Sequence, residues 1–472
     1  MWHLPCGKAY GRLIMTLSEY FDTLRDKRIG VIGIGVSNLP LIDALLRSGC
    51  NVTACDKRSE EALGEDYTRL KKLGCKFMLG EDYLEALDFD LIFRTPGLMP
   101  FDPHLVAARE AGAVITSEME LFFRLCPCRI VAVTGSDGKT TTTTVISELL
   151  KAQGYTVHLG GNIGKPLLCD VDGMSSEDFA VLELSSFQLH SMTCRPNVAV
   201  ITNVSPNHLD KHLDYQDYID AKSSIFLGQQ PSDALVLNLD NEFSEYYAAK
   251  APSKLRFFSR QRKPENGVYS LDGAVIRVRD GKENVIMKSG DILLPGTHNL
   301  ENYMAAFAAT DGIVSDEVCR SVAKSFAGVE HRLERVRELK GVVYINDSIG
   351  TSPTRTAAGL HALKTKPILI AGGYDKHIPF DGLGDEICLH AKALYLCGDT
   401  SDKIEAAVKA SKYYDGSLEM RKFDDFRKTV VAASENAVSG DIVLLSPACA
   451  AFDMFKNFAE RGRYFKEIVM EL

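Results

Sequence analysis

A chain of 472 residues is too long for one ordinary hydrophobic core and fits two to four domains. Its 45% apolar and 25% charged content is that of a soluble globular enzyme. The formal net charge of -9 argues against nucleic-acid binding, which needs a basic face, but leaves small anionic substrates open because a few local cations can hold them.

Met1-Trp2-His3-Leu4-Pro5-Cys6-Gly7 lacks the continuous hydrophobic core of a signal peptide, and Met15 precedes a segment that reads like an ordinary start. Residues 1–14 are therefore read as an optional extension without a function of its own. From there strand-like and helix-like segments alternate, which predicts parallel sheets covered by helices. A β run at Arg28 to Gly33 leads into helical spacing at Leu39, Ile42, Leu45 and Leu46, stopped by Gly49, and a second strand from Asn51 ends on Asp56. A new unit opens at Ile130 to Val133, turns through Gly135-Ser136-Asp137-Gly138 and enters a helix at Lys139; apolar strands follow at Ala180 to Leu184 and Val198 to Thr202. Residues 250–295 alternate in short runs with turns at Asn266-Gly267, Asp272-Gly273 and Asp280-Gly281, predicting a small antiparallel patch at the end of this domain. Strands at Val342 to Ile345, Pro367 to Ala371, Ala393 to Leu396 and Ile442 to Leu445 form a third unit. Boundaries fall near 117 and 328, giving domains 1–117, 118–328 and 329–472. No apolar run approaches the length that spans a bilayer. The twelve cysteines are scattered, and Cys126-x-Cys128 has no second pair at zinc spacing, so they read as reduced thiols of a cytoplasmic protein.

The turn between the Ile130 strand and the Lys139 helix carries the chemistry. Glycine lets backbone N–H groups converge on an anion, and the helix start adds positive partial charge. Lys139 suits terminal phosphate oxygens and the Thr140 hydroxyl suits magnesium. The full phosphate-loop pattern is two residues longer between its glycines, so a plain β-turn-α loop is the bland alternative. The earlier turn, Gly33-Ile34-Gly35-Val36-Ser37-Asn38, is weaker because Asn38 replaces the third glycine of a dinucleotide fingerprint. Dehydrogenase, nucleotide-sugar pocket and structural turn all stay open on this motif alone. Glu183 ends a strand where carboxylates face the ligand crevice of α/β proteins. His208, after another strand, suits a hard metal or the bare surface. Lys222 alone reads most simply as a solvated helical lysine.

Six motifs then match a known family. They are Thr134-Gly135-Ser136-Asp137-Gly138-Lys139-Thr140, Gly161-Asn162-Ile163-Gly164, Glu183-Leu184-Ser185-Ser186-Phe187-Gln188-Leu189, His208-Leu209-Asp210, Leu294-Pro295-Gly296-Thr297-His298-Asn299 and His331-Arg332. From about residue 17 to its C-terminus the chain resembles the Mur ligases, ATP-dependent amide-forming enzymes of peptidoglycan precursor synthesis, cell-wall biogenesis and cell division. The stretch Leu445-Ser446-Pro447-Ala448-Cys449-Ala450-Ala451-Phe452-Asp453, continuing to Phe455-Lys456-Asn457-Phe458 and Arg461-Gly462, is most similar to the D-glutamate-adding members. The resemblance implies an α/β protein of three domains on mainly parallel sheets: Rossmann-like and UDP-binding, then P-loop-type and ATP-binding, then Rossmann-like and amino-acid-binding. It implies a monomer with small-molecule substrates, touching neither nucleic acid nor membrane.

Residue by residue, the resemblance places the ATP phosphates on Gly135, Ser136, Asp137, Gly138, Lys139, Thr140 and Thr141, with Asn302, Arg332 and Asp347 positioning the nucleotide. Lys139, Glu183, His208 and Lys222 are the implied catalytic set. Two magnesium ions are implied, one facing Thr140 and Glu183, the other His208 and a carbamylated Lys222, since an unmodified ammonium would repel the metal. Val36, Ser37, Asp56, Lys57, Arg58 and Gly97 match places that hold UDP, and Asn162 one near the muramoyl-alanine arm. Thr351, Lys376, Ala451 and Phe458 are the candidate D-glutamate contacts. Two residues depart from the family pattern: Ile349 stands where a lysine is usual, and Ala451 where a serine usually contacts glutamate.

The implied reaction joins D-glutamate to UDP-N-acetylmuramoyl-L-alanine through an acyl phosphate, and three reactants from three domains imply closure. Its rivals are a sister ligase adding another amino acid, an ATP-driven switch, and a nicotinamide dehydrogenase. The Asp-Asn-Pro-Arg motif of the diamino-acid-adding sister is absent, a switch has no need of Glu183, His208 and Lys222 together, and Asn38 makes the dehydrogenase poor.

Overall fold

The computed structural model describes residues 15–205, 211–294, 296–375 and 379–472, so His208 and Lys376 lie outside the described residues. The chain divides into two compact units that meet between Phe326 and Ala327. Among the described residues no helix is long and apolar enough to cross a membrane.

The first unit begins with a parallel sheet of β1 (Arg28–Ile32), β2 (Asn51–Asp56), β3 (Lys76–Leu79), β4 (Leu91–Phe93) and β5 (Val114–Thr116), in the order β3-β2-β1-β4-β5. β1 is flanked by β2 and β4, so the winding direction reverses beside it and opens a crevice at the carboxyl ends of β1 and β4. The helix Asn38–Arg47 covers this sheet with Leu41, Ile42 and Leu45, none of them exposed.

A second sheet follows: β6 (Arg129–Thr134), β7 (Val157–Gly161), β8 (Phe179–Glu183), β9 (Val198–Ile201), β10 (Ala234–Asn238), β11 (Lys254–Ser259), β12 (Gly267–Leu271), β13 (Ala274–Arg279) and β14 (Lys282–Lys288). Its order is β14-β13-β12-β11-β10-β9-β6-β8-β7. β6 sits between β8 and β9, again a reversal point. The glycine turns at Asp272-Gly273 and Asp280-Gly281 do make antiparallel hairpins, with positive φ at all four residues. They form the antiparallel end expected of this domain, and β12 joins it to the rest of the sheet by pairing in parallel with β11. The helix Thr297–Ala309 packs on the helix Lys139–Ala152 and on this sheet, and Asn302 to Ala309 are all buried. Its four alanines on that stretch let the backbone approach closely.

The second unit is built on β15 (Glu334–Leu339), β16 (Val342–Asn346), β17 (Ile368–Ala371), β18 (Ala393–Cys397), β19 (Glu419–Phe423) and β20 (Ile442–Leu445), in the order β15-β16-β20-β17-β18-β19. The four central strands are the expected ones. The edge strands β15 and β19 were not foreseen, because their charged sequences carry no apolar run. All three sheets are mostly parallel, as expected for the α/β class. Among the described residues the cysteines are free thiols, buried except for Cys169 and Cys388.

Candidate active site

The loop after β6 is held by the loop after β9. Ser136 N–H donates to Asn203 O and Asp137 N–H to Asn203 Oδ1, both at 2.9 Å, while the Thr202 hydroxyl donates to Asp137 O at 2.6 Å. Gly138 caps the helix Lys139–Ala152 in the left-handed region at φ 76, and a Cβ there would come within 2.2 Å of Asn302 Oδ1. Glycine at 138 thus admits both the turn and the buried Asn302, whose oxygen also accepts from Thr142 at 3.3 Å. The result is a fixed concave loop at a helix start, the arrangement that receives phosphate. Asp137 is exposed and Thr141 half-buried on its rim.

Lys139 folds over the loop, its Nζ donating to Gly135 O and Ser136 O at 2.9 Å each. Glu183 is buried at the end of β8. Its Oε2 accepts from the Thr140 hydroxyl at 2.7 Å and its Oε1 from Asn162 Nδ2 at 2.9 Å. Lys222 is 1% exposed, which overturns its reading as a solvated lysine. Its Nζ lies 3.4 Å from Gly135 O, the carbonyl that Lys139 also uses, and 4.0 Å from the centre of the Tyr218 ring. Burial, and then the Lys139 charge, push the Lys222 ammonium well below its ordinary pKa. Two ammoniums on one carbonyl, one of them buried, favour a neutral amine at Lys222. The loops after β6 and β7, the end of β8 and the helix Tyr215–Ser223 therefore bring Lys139, Thr140, Asn162, Glu183 and Lys222 together at one sheet edge.

At the first sheet, Val36 and Ser37 follow β1, Lys57 and Arg58 follow β2, and Gly97 follows β4, all at carboxyl ends. Val36 is 78% exposed, unusual for valine. Asp56 is 7% exposed; its Oδ2 accepts from Ile34 N–H at 2.7 Å and Arg58 grips both its oxygens. Burial pushes its pKa up, but Arg58 and the backbone donors outweigh that and hold it below the usual carboxylate range. Asp56 here braces the glycine turn. Asn38 does likewise, donating to Ile32 O at 3.0 Å and Gly33 O at 3.2 Å, which accounts for its place in the fingerprint.

In the second unit Asp347 follows β16, buried, with Ser446 Oγ donating at 2.7 Å and Leu333 N–H at 3.2 Å; Arg332 is exposed nearby in sequence. Burial raises Asp347 to about 6. Thr351 is half-buried, Phe458 37% exposed, and Ala451 2% exposed with only its methyl to offer. Ile349 N–H donates to His331 O at 3.1 Å. Arg461, which the motif contained without a role, is the buried hub: its guanidinium reaches Ser348 O, Cys449 O and Ala450 O at 3.0 Å each. Arg94, His190, His212, Asp217 and Tyr218 were also missed. Each is buried or half-buried and densely bonded, and no local pattern marks them.

The fold and this edge constellation suit an enzyme that binds a nucleotide, and comparison with known proteins gives its class. Residues 133–310 match the Mur ligase middle domain, and residues 331–449 the Mur ligase glutamate ligase domain. The chain belongs to the Mur ligase family and is an ATP-dependent, ADP-forming ligase. Among its relatives, "UDP-N-acetylmuramoylalanine--D-glutamate ligase" of Acetivibrio thermocellus is 50% identical over 96% of this chain and 98% of that protein. The protein of the same name from Clostridium novyi is 50% identical over 97% and 99%, and that from Clostridium perfringens 46% over 96% and 98%. Among solved structures, MurF from Acinetobacter baumannii shares the fold at TM-score 0.55 and 14% identity, covering 97% of this chain and 99% of its own. UDP-N-acetylmuramate-alanine ligase from Thermotoga maritima does so at 0.53 and 18%, over 94% and 99%.

Proposed function

We propose that this protein adds D-glutamate to UDP-N-acetylmuramoyl-L-alanine through an acyl phosphate formed with ATP, in the cytoplasm, as a monomer. The observation that carries this reading is Glu183 bonded to Thr140 at the phosphate loop, in a chain half identical along nearly its whole length to ligases of that name. Residues 1–117 would hold the UDP part through Val36, Ser37, Asp56, Lys57, Arg58 and Gly97. Residues 118–328 would hold ATP, and residues 329–472 the amino acid through Thr351, Lys376, Ala451 and Phe458.

The Thr140 hydroxyl and the Glu183 carboxylate are oxygen donors that suit magnesium, and this reading takes two such ions. Thr140 and Glu183 would hold one. Lys222 would hold the other together with His208 once its neutral amine has added carbon dioxide: an N–C bond forms, one proton leaves the nitrogen, and the neutral amine becomes a carbamate anion whose oxygens can serve as ligands. Bound magnesium supplies neutralisation of the phosphate charge.

The chain's own groups do the rest. The loop N–H groups and Lys139 hold the γ-phosphate while the alanyl carboxylate attacks it and the bond to ADP breaks, with Lys139 offsetting the repulsion between two anions. Asn162, on the Glu183 carboxylate, orients that ligand and faces the arm that carries the alanyl group. The amine of D-glutamate then attacks the acyl carbon, the C–O bond to phosphate breaks, and the amine loses a proton as the amide forms.

Phosphate release with ATP, magnesium and UDP-N-acetylmuramoyl-L-alanine across a panel of D- and L-amino acids tests the assignment. D-Glutamate should support release. Release with L-lysine or diaminopimelate but not D-glutamate would establish the sister-ligase reading instead.

A further inference from the structure

Beside the phosphate loop, two imidazoles and a carboxylate form a network that none of the roles above uses. The His212 side chain is fully enclosed. Its Nδ1–H donates to Asp217 Oδ2 at 2.8 Å, and its Nε2 lies 3.0 Å from the Ser186 hydroxyl. His190 Nε2 donates to the other oxygen, Asp217 Oδ1, at 2.7 Å. Phe187 stacks on the His212 ring at 5.5 Å between centroids, and Tyr218 meets its edge at 5.1 Å. These contacts leave His212 one orientation.

A metal ion is the first reading to weigh, since one ligand atom from each of His190, His212 and Asp217 falls within 4.8 Å of the others. The hydrogen bonds argue against it. Each Asp217 oxygen already takes an imidazole, and Oδ2 also accepts from Leu213 N–H at 3.3 Å. The second nitrogen of His212 is on Ser186. Among these ring nitrogens only His190 Nδ1 has no partner, and a single nitrogen makes no metal site.

What the network joins is more telling. Ser186 opens the helix Ser186–Leu189, three residues after Glu183. Asp217 lies in the first turn of the helix Tyr215–Ser223, whose last turn carries Lys222. Tyr218, next to Asp217, shares a hydrogen bond at 2.8 Å with Ser136 of the phosphate loop. That helix is therefore tied at its start to the chain that follows Glu183 and in its middle to the phosphate loop. It is rigid over the roughly 7.5 Å of axis from Asp217 to Lys222, so movement at one end is movement at the other.

We infer that His212, wedged between Ser186 and Asp217, is a positioning residue that holds the Lys222 helix in register with the Glu183 strand, so that both groups face the phosphate loop together. This rests on Lys222 and Glu183 holding metal as proposed above. Misplacement of about 1 Å in such a site lowers a rate by about a hundredfold.

The test uses the full chain and the variants His212→Ala, His212→Asn and Ser186→Ala, the last removing one bond and leaving the rings in place. Melting temperature, kcat, KM for the amino acid and the ¹³C carbamate resonance after labelling with ¹³C-bicarbonate are measured for each. His212→Ala is expected to lower kcat by about tenfold to a hundredfold and to weaken the carbamate resonance, with the amino-acid KM within twofold, because the glutamate contacts lie in the other unit. Ser186→Ala should shift both in the same direction by less. Variants that melt like the parent yet keep kcat and the carbamate resonance within twofold would overturn the inference. Should His212→Ala fail to fold, His212→Asn and Ser186→Ala decide it on the same criteria. The variant-to-parent carbamate ratio needs no turnover, so failure of the D-glutamate assignment is read separately, from phosphate release by the parent chain.

Discussion

Lys222 shows how little a residue's type says about its state. In sequence it is one lysine in a polar helix; in the fold it is buried against Tyr218 and shares a carbonyl with Lys139. If its carbamate holds metal, Lys222→Ala should reduce activity by about a hundredfold or more, and short-chain carboxylic acids should restore part of it. Full activity in the variant without added acid would refute the carbamate. Asp347 carries a second prediction. Burial raises it to about 6 in the folded chain, against about 4 unfolded, so the native state binds more protons between those values. Its contribution to stability is therefore present below about pH 4 and falls as pH rises to about 6, a loss on the order of 2–3 kcal/mol. Asp347→Asn removes that titration. The melting temperature of the variant relative to the parent should rise from pH 4 to pH 7, and a difference independent of pH would refute the assignment.

Among elements, those that pack both faces were legible and those on edges were not. β16, β17, β18 and β20 are near-continuous apolar runs because helices cover both sides of a parallel sheet. β15, reading Glu-Arg-Val-Arg-Glu-Leu, and β19, reading Glu-Met-Arg-Lys-Phe, present charges, as edge strands do to discourage pairing with other chains. The helix Phe458–Glu471 is fixed by a contact that no periodicity reveals. Arg461, only 2% exposed and lowered by burial to about 10, binds three carbonyls and Ser348 Oγ in the loops after β16 and β20. A lysine has the charge but not the planar fork, and would leave buried acceptors unpaired. Arg461→Lys should destabilise the second unit by about 3 kcal/mol and raise the KM for the amino acid. An unchanged melting temperature would show that the loops hold without it.

Across the whole chain, topology decides where chemistry can gather. In the first two sheets the winding reverses beside one strand, β1 or β6, and the candidate binding residues follow that strand and its neighbours. The candidate ATP and UDP contacts other than Arg332 and Asp347 belong to the first compact unit, and the candidate amino-acid contacts to the second. Amide formation needs the amine about 3 Å from the acyl carbon. Small-angle scattering should accordingly give a smaller radius of gyration with nucleotide and UDP-linked substrate than without them. An unchanged radius would refute closure.

Local chemistry by itself determined the α/β class, the phosphate loop at Gly135 to Thr140 and the strand-end place of Glu183, because glycine turns, helix starts and apolar strands act over a few residues. The motifs matched to a family added the ligase reading and D-glutamate as the expected amino acid. Only the tertiary structure decided that Asp56 and Asn38 brace a turn, that β12, β13 and β14 extend the central sheet, and that Lys222 is buried beside Lys139. The same holds for the His212 network and the Arg461 hub. Their hydrogen bonds join residues from 4 to 113 positions apart, and burial, which sets the charge a lysine or aspartate can carry, exists only once the chain has closed around them.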